Sequence, residues 1–128
     1  MTPFTVTISF AALYAITLVP MTGWIGLYRD RIGALRGDGG DPVLYKRIRY
    51  HGNLTENAPA TFMALAAAES LGLMQPWLWA AVVSFILGRV LYFIQFDKKS
   101  RALALSFTQF PAALLAIWCL YSLFIKGA

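Results

Sequence analysis

From Phe4 to Tyr28 the chain carries no charged side chain, and no Lys or Arg precedes Arg29. As a helix rising ~1.5 Å per residue, that run crosses the ~30 Å hydrocarbon core of a bilayer. It is too long for a signal-peptide core and lacks a basic flank, so it reads as a retained first span. Backbone inside a bilayer must be satisfied internally, which leaves helices or a closed barrel. Further apolar runs recur at about 47–73, 77–96 and 102–125. Between them lie Gly37-Asp-Gly-Gly-Asp-Pro42, the uncharged turn Met74-Gln-Pro76 and the charged turn Asp97-Lys-Lys-Ser-Arg101. The sequence therefore predicts an all-α membrane protein. Residues 1–128 form one domain, a bundle of four transmembrane helices spanning about 4–28, 47–73, 77–96 and 102–125.

Charged residues make up 13% of the chain, against about a quarter in soluble domains. The net charge of +5 could point to nucleic acid. Here, however, the basic residues flank apolar runs, where they orient a membrane protein instead. Arg29, Arg31, Arg36, Lys46, Arg47, Arg49, Lys98, Lys99 and Arg101 all fall on one side of a four-span chain, with Lys126 at the opposite end. The positive-inside rule makes both basic loops cytoplasmic and turns both termini outward. Cys119, alone in an apolar run, reads as a small buried hydrophobe and excludes an intramolecular disulfide. No second His or Cys stands at metal-ligand spacing, so no metal site is expected. Residues 37–42 read as a flexible connector, since no Gly-Lys-Ser/Thr follows them. Thr22, Gly23 and Gly26 form a small patch that would let another helix approach closely.

The chemistry concentrates in Lys46-Arg-Ile-Arg-Tyr-His-Gly-Asn-Leu-Thr-Glu-Asn-Ala-Pro59. At 100° per residue, Lys46, Arg49, Asn53, Glu56 and Ala60 share about a quarter-turn of one helix face. Ionisable groups at membrane depth are costly and face a bundle interior or a wet cavity. Two readings fit: a structural Arg49–Glu56 network, or a site for a ligand bearing carboxylates and an ammonium. In the second, Arg takes carboxylate, Glu takes ammonium and Asn takes amide. His51 and Glu69 lie on the opposite face. His51 is read either as a ligand contact or as a neutral interfacial histidine, and Glu69 as snorkelling to the outer interface. Arg89, Tyr92 and Phe96 share a face of the third span, and Arg89, nearly two turns from the charged loop, is expected to point inward. Arg101 could be an ordinary positive-inside anchor.

Arg49-x-x-x-Asn53-x-x-Glu56-x-x-Pro59, followed by Gly88-Arg89-x-x-Tyr92 and Gln109-x-Pro111, resembles the MAPEG family. Its members are the membrane-associated proteins of eicosanoid and glutathione metabolism. The Gly37-Asp-Gly-Gly40 loop and Arg49-Tyr-His-Gly-Asn53 look most like a small bacterial branch, which implies a bacterial inner membrane. The resemblance implies a homotrimer that binds glutathione, as co-substrate, at the subunit interface near the cytoplasmic side. Arg49, Asn53 and Glu56 would then hold the tripeptide, with Tyr92 adding a phenol hydrogen bond and Arg89 supporting the floor. Arg101 matches the arginine that stabilises the thiolate, and Arg29 or Arg31 the basic end of the first helix, which reaches a neighbouring subunit. Phe96 stands where better-known members carry a second tyrosine, and Asn57 where some carry a tyrosine. The implied activity is a glutathione transferase, or a peroxidase, acting on a lipophilic electrophile drawn from the lipid bilayer. Two alternatives stay open: a non-catalytic binder of glutathione or lipid, and a small multidrug transporter. The absence of any acid in the first span argues against the transporter.

Overall fold

The computed structural model describes residues 3–127; Met1, Thr2 and Ala128 of the expected domain lie outside the described residues. Four helices make up the fold: α1 (Thr5–Ile32), α2 (Pro42–Ser70), α3 (Gln75–Ile94) and α4 (Ala102–Phe124). Among the described residues there is no strand. Helices α1, α3 and α4 are long and apolar enough to cross a membrane. Helix α2 falls short of that measure, because its opening turns hold Lys46, Arg47, Arg49, His51, Asn53, Glu56 and Asn57.

Helix α2 also starts earlier than its apolar run, at Pro42. The Asp41 carboxylate accepts the Leu44 N–H at 2.9 Å, and Pro42 sits in the first turn, where its missing N–H costs nothing. The Tyr28 hydroxyl donates to the same carboxylate, tying the end of α1 to the start of α2. The Leu44 N–H bond holds the Asp41 carboxyl below the usual carboxylate range, against a desolvation that works the other way. Gly33, at φ +71, closes α1 in the left-handed conformation that glycine adopts without strain.

Helices α3 and α4 approach most closely, at Gly88. A Cβ there would lie 2.7 Å from the Thr108 nitrogen and 2.9 Å from the Ala104 carbonyl oxygen, so only glycine fits. Helix α1 packs on α2, and α2 on α4, while α1 and α3 scarcely touch. The main core gathers Phe10, Leu54, Leu65, Leu78, Val82, Phe85 and Leu115. Only 6% of the most apolar stretch of α1 is buried, against 33% for α3 and 28% for α4, so α1 is the least covered of these three spans.

Two expectations change here. A Cβ at Gly23 or Gly26 would meet nothing within 4 Å, so those two glycines receive no helix of their own chain, while Thr22 of the same patch meets His51 of α2. Glu69 does not snorkel. Its carboxylate accepts the Val6 N–H at 3.0 Å, the Thr7 N–H at 2.8 Å and the Thr7 hydroxyl at 2.7 Å. Phe4, the N-cap of α1, offers no side-chain acceptor, and Glu69 supplies a negative one from the end of α2.

Candidate functional site

Helix α2 buries the stripe Tyr50, Leu54, Ala58, Thr61, Leu65 and Ala68. The row of Arg49, Asn53 and Glu56 runs along the edge of this stripe, so the surface of the bundle passes through it. Asn53 is buried, Glu56 is exposed and Arg49 lies between. The single convergent face expected from helical spacing is thus divided into an outward and an inward half.

The outward half is an ion pair, with Arg49 Nη1 3.6 Å from Glu56 Oε1 and side chains 35% and 61% exposed. It bridges two turns across Gly52, where a Cβ would come 3.2 Å from Arg49 Nη1 and 3.7 Å from Glu56 Oε1. The inward half is a polar network between helices. Arg89 donates from Nη1 to Asn53 Oδ1 and from Nη2 to Thr108 Oγ1 at 2.7 Å. Thr108 passes its own hydroxyl proton to the Ala104 carbonyl at 2.9 Å. Asn57 Nδ2 donates to the Asn53 carbonyl at 2.7 Å, and Gln109 Nε2 donates to Asn57 Oδ1 at 3.1 Å. A guanidinium can only donate, so Arg89 fixes the Asn53 side-chain oxygen as an acceptor facing inward. Arg89 therefore points into the bundle.

Toward the charged turn an aromatic cluster closes the bundle. Tyr92 is buried between Tyr50 and Phe96, with ring centroids 6.0 and 5.8 Å away, both edge-to-face. Arg101 donates to the Phe96 carbonyl at 2.9 Å, its guanidinium 5.3 Å from the Phe96 ring and 5.9 Å from that of Tyr92. Lys46 pairs with Asp97 at 2.7 Å, and that hydrogen bond raises the lysine above its ordinary pKa. Arg47 is clasped between the Trp24 and Tyr28 rings at 4.5 and 4.4 Å and donates to the Trp24 carbonyl. His51 turns to α1, with Nε2 3.5 Å from Thr22 Oγ1. Arg29 donates to the Gly37 carbonyl at 2.6 Å, whereas Arg31 is exposed.

A family model described as MAPEG family matches residues 7–125. The chain belongs to the MAPEG family. Neither the curated proteins nor the solved structures compared with it gave a match. Membership makes it a membrane protein of glutathione-related or eicosanoid metabolism. The matched range holds the outward pair, the inward network and the aromatic cluster alike.

Within this MAPEG bundle the structure joins Asn53, Arg89 and, through the shared aromatic cluster, Tyr92 and Arg101. It leaves Arg49 with Glu56 outside, and His51, Arg29 and Arg31 apart from both groups. Helical spacing did not mark Thr108, Asn57 or Gly88 as structural partners. The signal for Gly88 and Thr108 was present: Gly88, Ala104 and Thr108 are small residues on facing turns, the pattern that permits close approach of helices in a membrane.

Proposed function

We propose that this protein is a membrane glutathione transferase of the MAPEG family. In this reading it is a homotrimer in a bacterial inner membrane, with its site open to the cytoplasm. The observation that carries the reading is the outward Arg49–Glu56 pair, which lies at the edge of the buried stripe of α2. Charged groups at that depth need a cover of matching chemistry. Glutathione has it: carboxylates for Arg49 and an ammonium for Glu56. Asn53, anchored from behind by Arg89, stiffens the wall on which the tripeptide rests. Helix α2 then serves as the fourth span, its polar face covered by ligand and by a neighbouring subunit. In this reading Arg29 and Arg31, at the end of α1, contribute to that neighbour's site.

Arg101 is the proposed catalytic residue. A thiol with a pKa near ~8.5 becomes nucleophilic as the thiolate, which an adjacent guanidinium favours. The sulfur forms a bond to the electrophilic carbon and the leaving group departs with the bonding pair. Tyr92 lies beside Arg101 to orient the sulfur. The electrophile, dissolved in the bilayer, arrives laterally. The test is glutathione-dependent conjugation of a chloronitrobenzene by purified protein, native and Arg101→Ala. Turnover in the native protein that falls about tenfold or more in the variant, the loss of one charged contact, supports the reading; equal background rates defeat it. One observation favours a second reading, a binder without turnover: Phe96 carries no hydroxyl, and Arg101 already spends a donor on the Phe96 carbonyl. Glutathione binding without any conjugation would select it.

A further inference from the structure

Pro111 stands inside α4 and has no N–H to give the carbonyl four residues back, that of Phe107. In a span facing lipid no water takes the place of that donor, so the carbonyl must be satisfied from within the protein. Ser84 supplies it from α3: its hydroxyl donates to the Phe107 carbonyl at 2.9 Å. A serine or threonine inside a helix can instead donate to the carbonyl four residues back in its own helix. Ser9, Thr17 and Ser106 do so, to the carbonyls of Thr5, Leu13 and Ala102. Ser84 turns away from its own helix and crosses to α4. It lies one turn from Gly88, where the missing Cβ lets α4 come within reach. Toward Trp77 and Trp118 the two helices part into an apolar cleft, and Ser84 carries the one hydroxyl among its lining residues.

We infer that Ser84 is a positioning residue: it completes the hydrogen-bond ladder of α4 at its proline and so fixes the direction of the segment that carries Arg101. The consequence for Arg101 rests on the transferase reading above; the bond itself does not. A helix broken at a proline bends there, and a bond from a neighbouring helix holds the bend at one angle. Arg101 lies ten residues before Pro111, roughly 15 Å along the helix. At that lever arm a tilt of about 5° moves Arg101 by roughly 1 Å. A misplacement of about 1 Å from a distant mutation can cost about a hundredfold in rate. The Gly88 contact and the Arg89–Thr108 bond set the distance between α3 and α4, but neither fills the broken rung at Phe107. Ser84 fills it, and acts on the chemistry only through α4.

The test uses the detergent-solubilised full chain. Without glutathione, a double-mutant cycle reads the unfolding midpoint in dodecyl sulfate. Ser84→Ala should lower the midpoint, and Ser84→Thr, which keeps the hydroxyl, should not. In a Pro111→Ala background a backbone N–H at position 111 returns to the Phe107 carbonyl, so Ser84→Ala should lower the midpoint less than half as far. Hydrogen exchange in Ser84→Ala should quicken about 2- to 12-fold over residues 105–110, as losing one neutral hydrogen bond allows, and stay native over residues 113–122. Equal lowering in both backgrounds, or exchange that quickens uniformly along α4, would overturn the inference. If Pro111→Ala does not fold, the exchange pattern and the Ser84→Thr comparison decide. With glutathione and a chloronitrobenzene, Ser84→Ala should lower turnover about tenfold or more. It should also move the pH of half-maximal rate upward, because a displaced Arg101 favours the thiolate less; Ser84→Thr should keep both at their native values. A merely structural Ser84 would leave that pH in place, and this result would overturn the positioning role. A native chain without turnover would defeat the transferase reading alone, and the cycle and the exchange would still decide for Ser84.

Discussion

Replacing Gly88 by alanine puts a methyl group where α3 and α4 leave no room. The new Cβ would lie 2.7 Å from the Thr108 nitrogen and 2.9 Å from the Ala104 oxygen, whereas ordinary contact begins at 3.4 Å. The Thr108 hydroxyl stands closer still, but the other two obstacles are backbone, which no side-chain rotation relieves, so the helices must part by about 0.7 Å (3.4 − 2.7). Overpacking of this kind costs about 1–3 kcal/mol. The same movement lengthens the Arg89–Thr108 hydrogen bond, now 2.7 Å; losing a bond to a charged donor adds about 1.5–3 kcal/mol. The expected loss is therefore about 2.5–6 kcal/mol, read as a lower midpoint on titrating the detergent-solubilised protein with dodecyl sulfate. Thr108→Ala in the same chain removes the hydroxyl contact but should restore stability only in part, since the Thr108 nitrogen and the Ala104 oxygen remain. A Gly88→Ala protein as stable as the native one, or one restored in full by Thr108→Ala, would refute the close-packing argument.

Glu69→Ala removes the acceptor for two amides at the start of α1. Hydrogen exchange at Val6 and Thr7 should accelerate, with a local loss of about 0.5–2 kcal/mol, the range for a helix cap, and protection elsewhere should hold. Asp41 gives a pH signature. Its folded-state pKa lies below the ordinary 3.8, so its stabilisation is complete above that value and is lost as pH falls through the folded one. Asp41→Asn, which still caps but carries no charge, should show a shallower loss of stability below about pH 4 than the native chain. Arg89→Lys keeps the charge but cannot reproduce the two-armed contact to Asn53 and Thr108. It should lower the unfolding midpoint, and an unchanged midpoint would mean the network contributes nothing.

Much of this arrangement was legible in the sequence because membrane helices announce themselves by length and apolarity. Arg89 pointed inward as its depth required, and the family followed from Arg49, Asn53, Glu56, Gly88 and Tyr92 taken together. The helical wheel was less informative about what Arg49, Asn53 and Glu56 face. It places them on one arc, but only the contact with α3 and α4 decides where along that arc the bundle surface runs. Glu69 was misread for a related reason: its partners, Val6 and Thr7, lie some sixty residues away, beyond any local pattern. The early start of α2 was written in Asp41-Pro42, a cap and a first-turn proline hidden inside a glycine-rich connector.

The central claim is that the outward Arg49–Glu56 face receives glutathione. Calorimetric titration of glutathione into the solubilised full chain tests it most directly, in native protein and Glu56→Gln. Expected is saturable binding that weakens about tenfold or more in Glu56→Gln, as losing one charged contact requires. No binding to the native protein, or equal binding to Glu56→Gln, would contradict it.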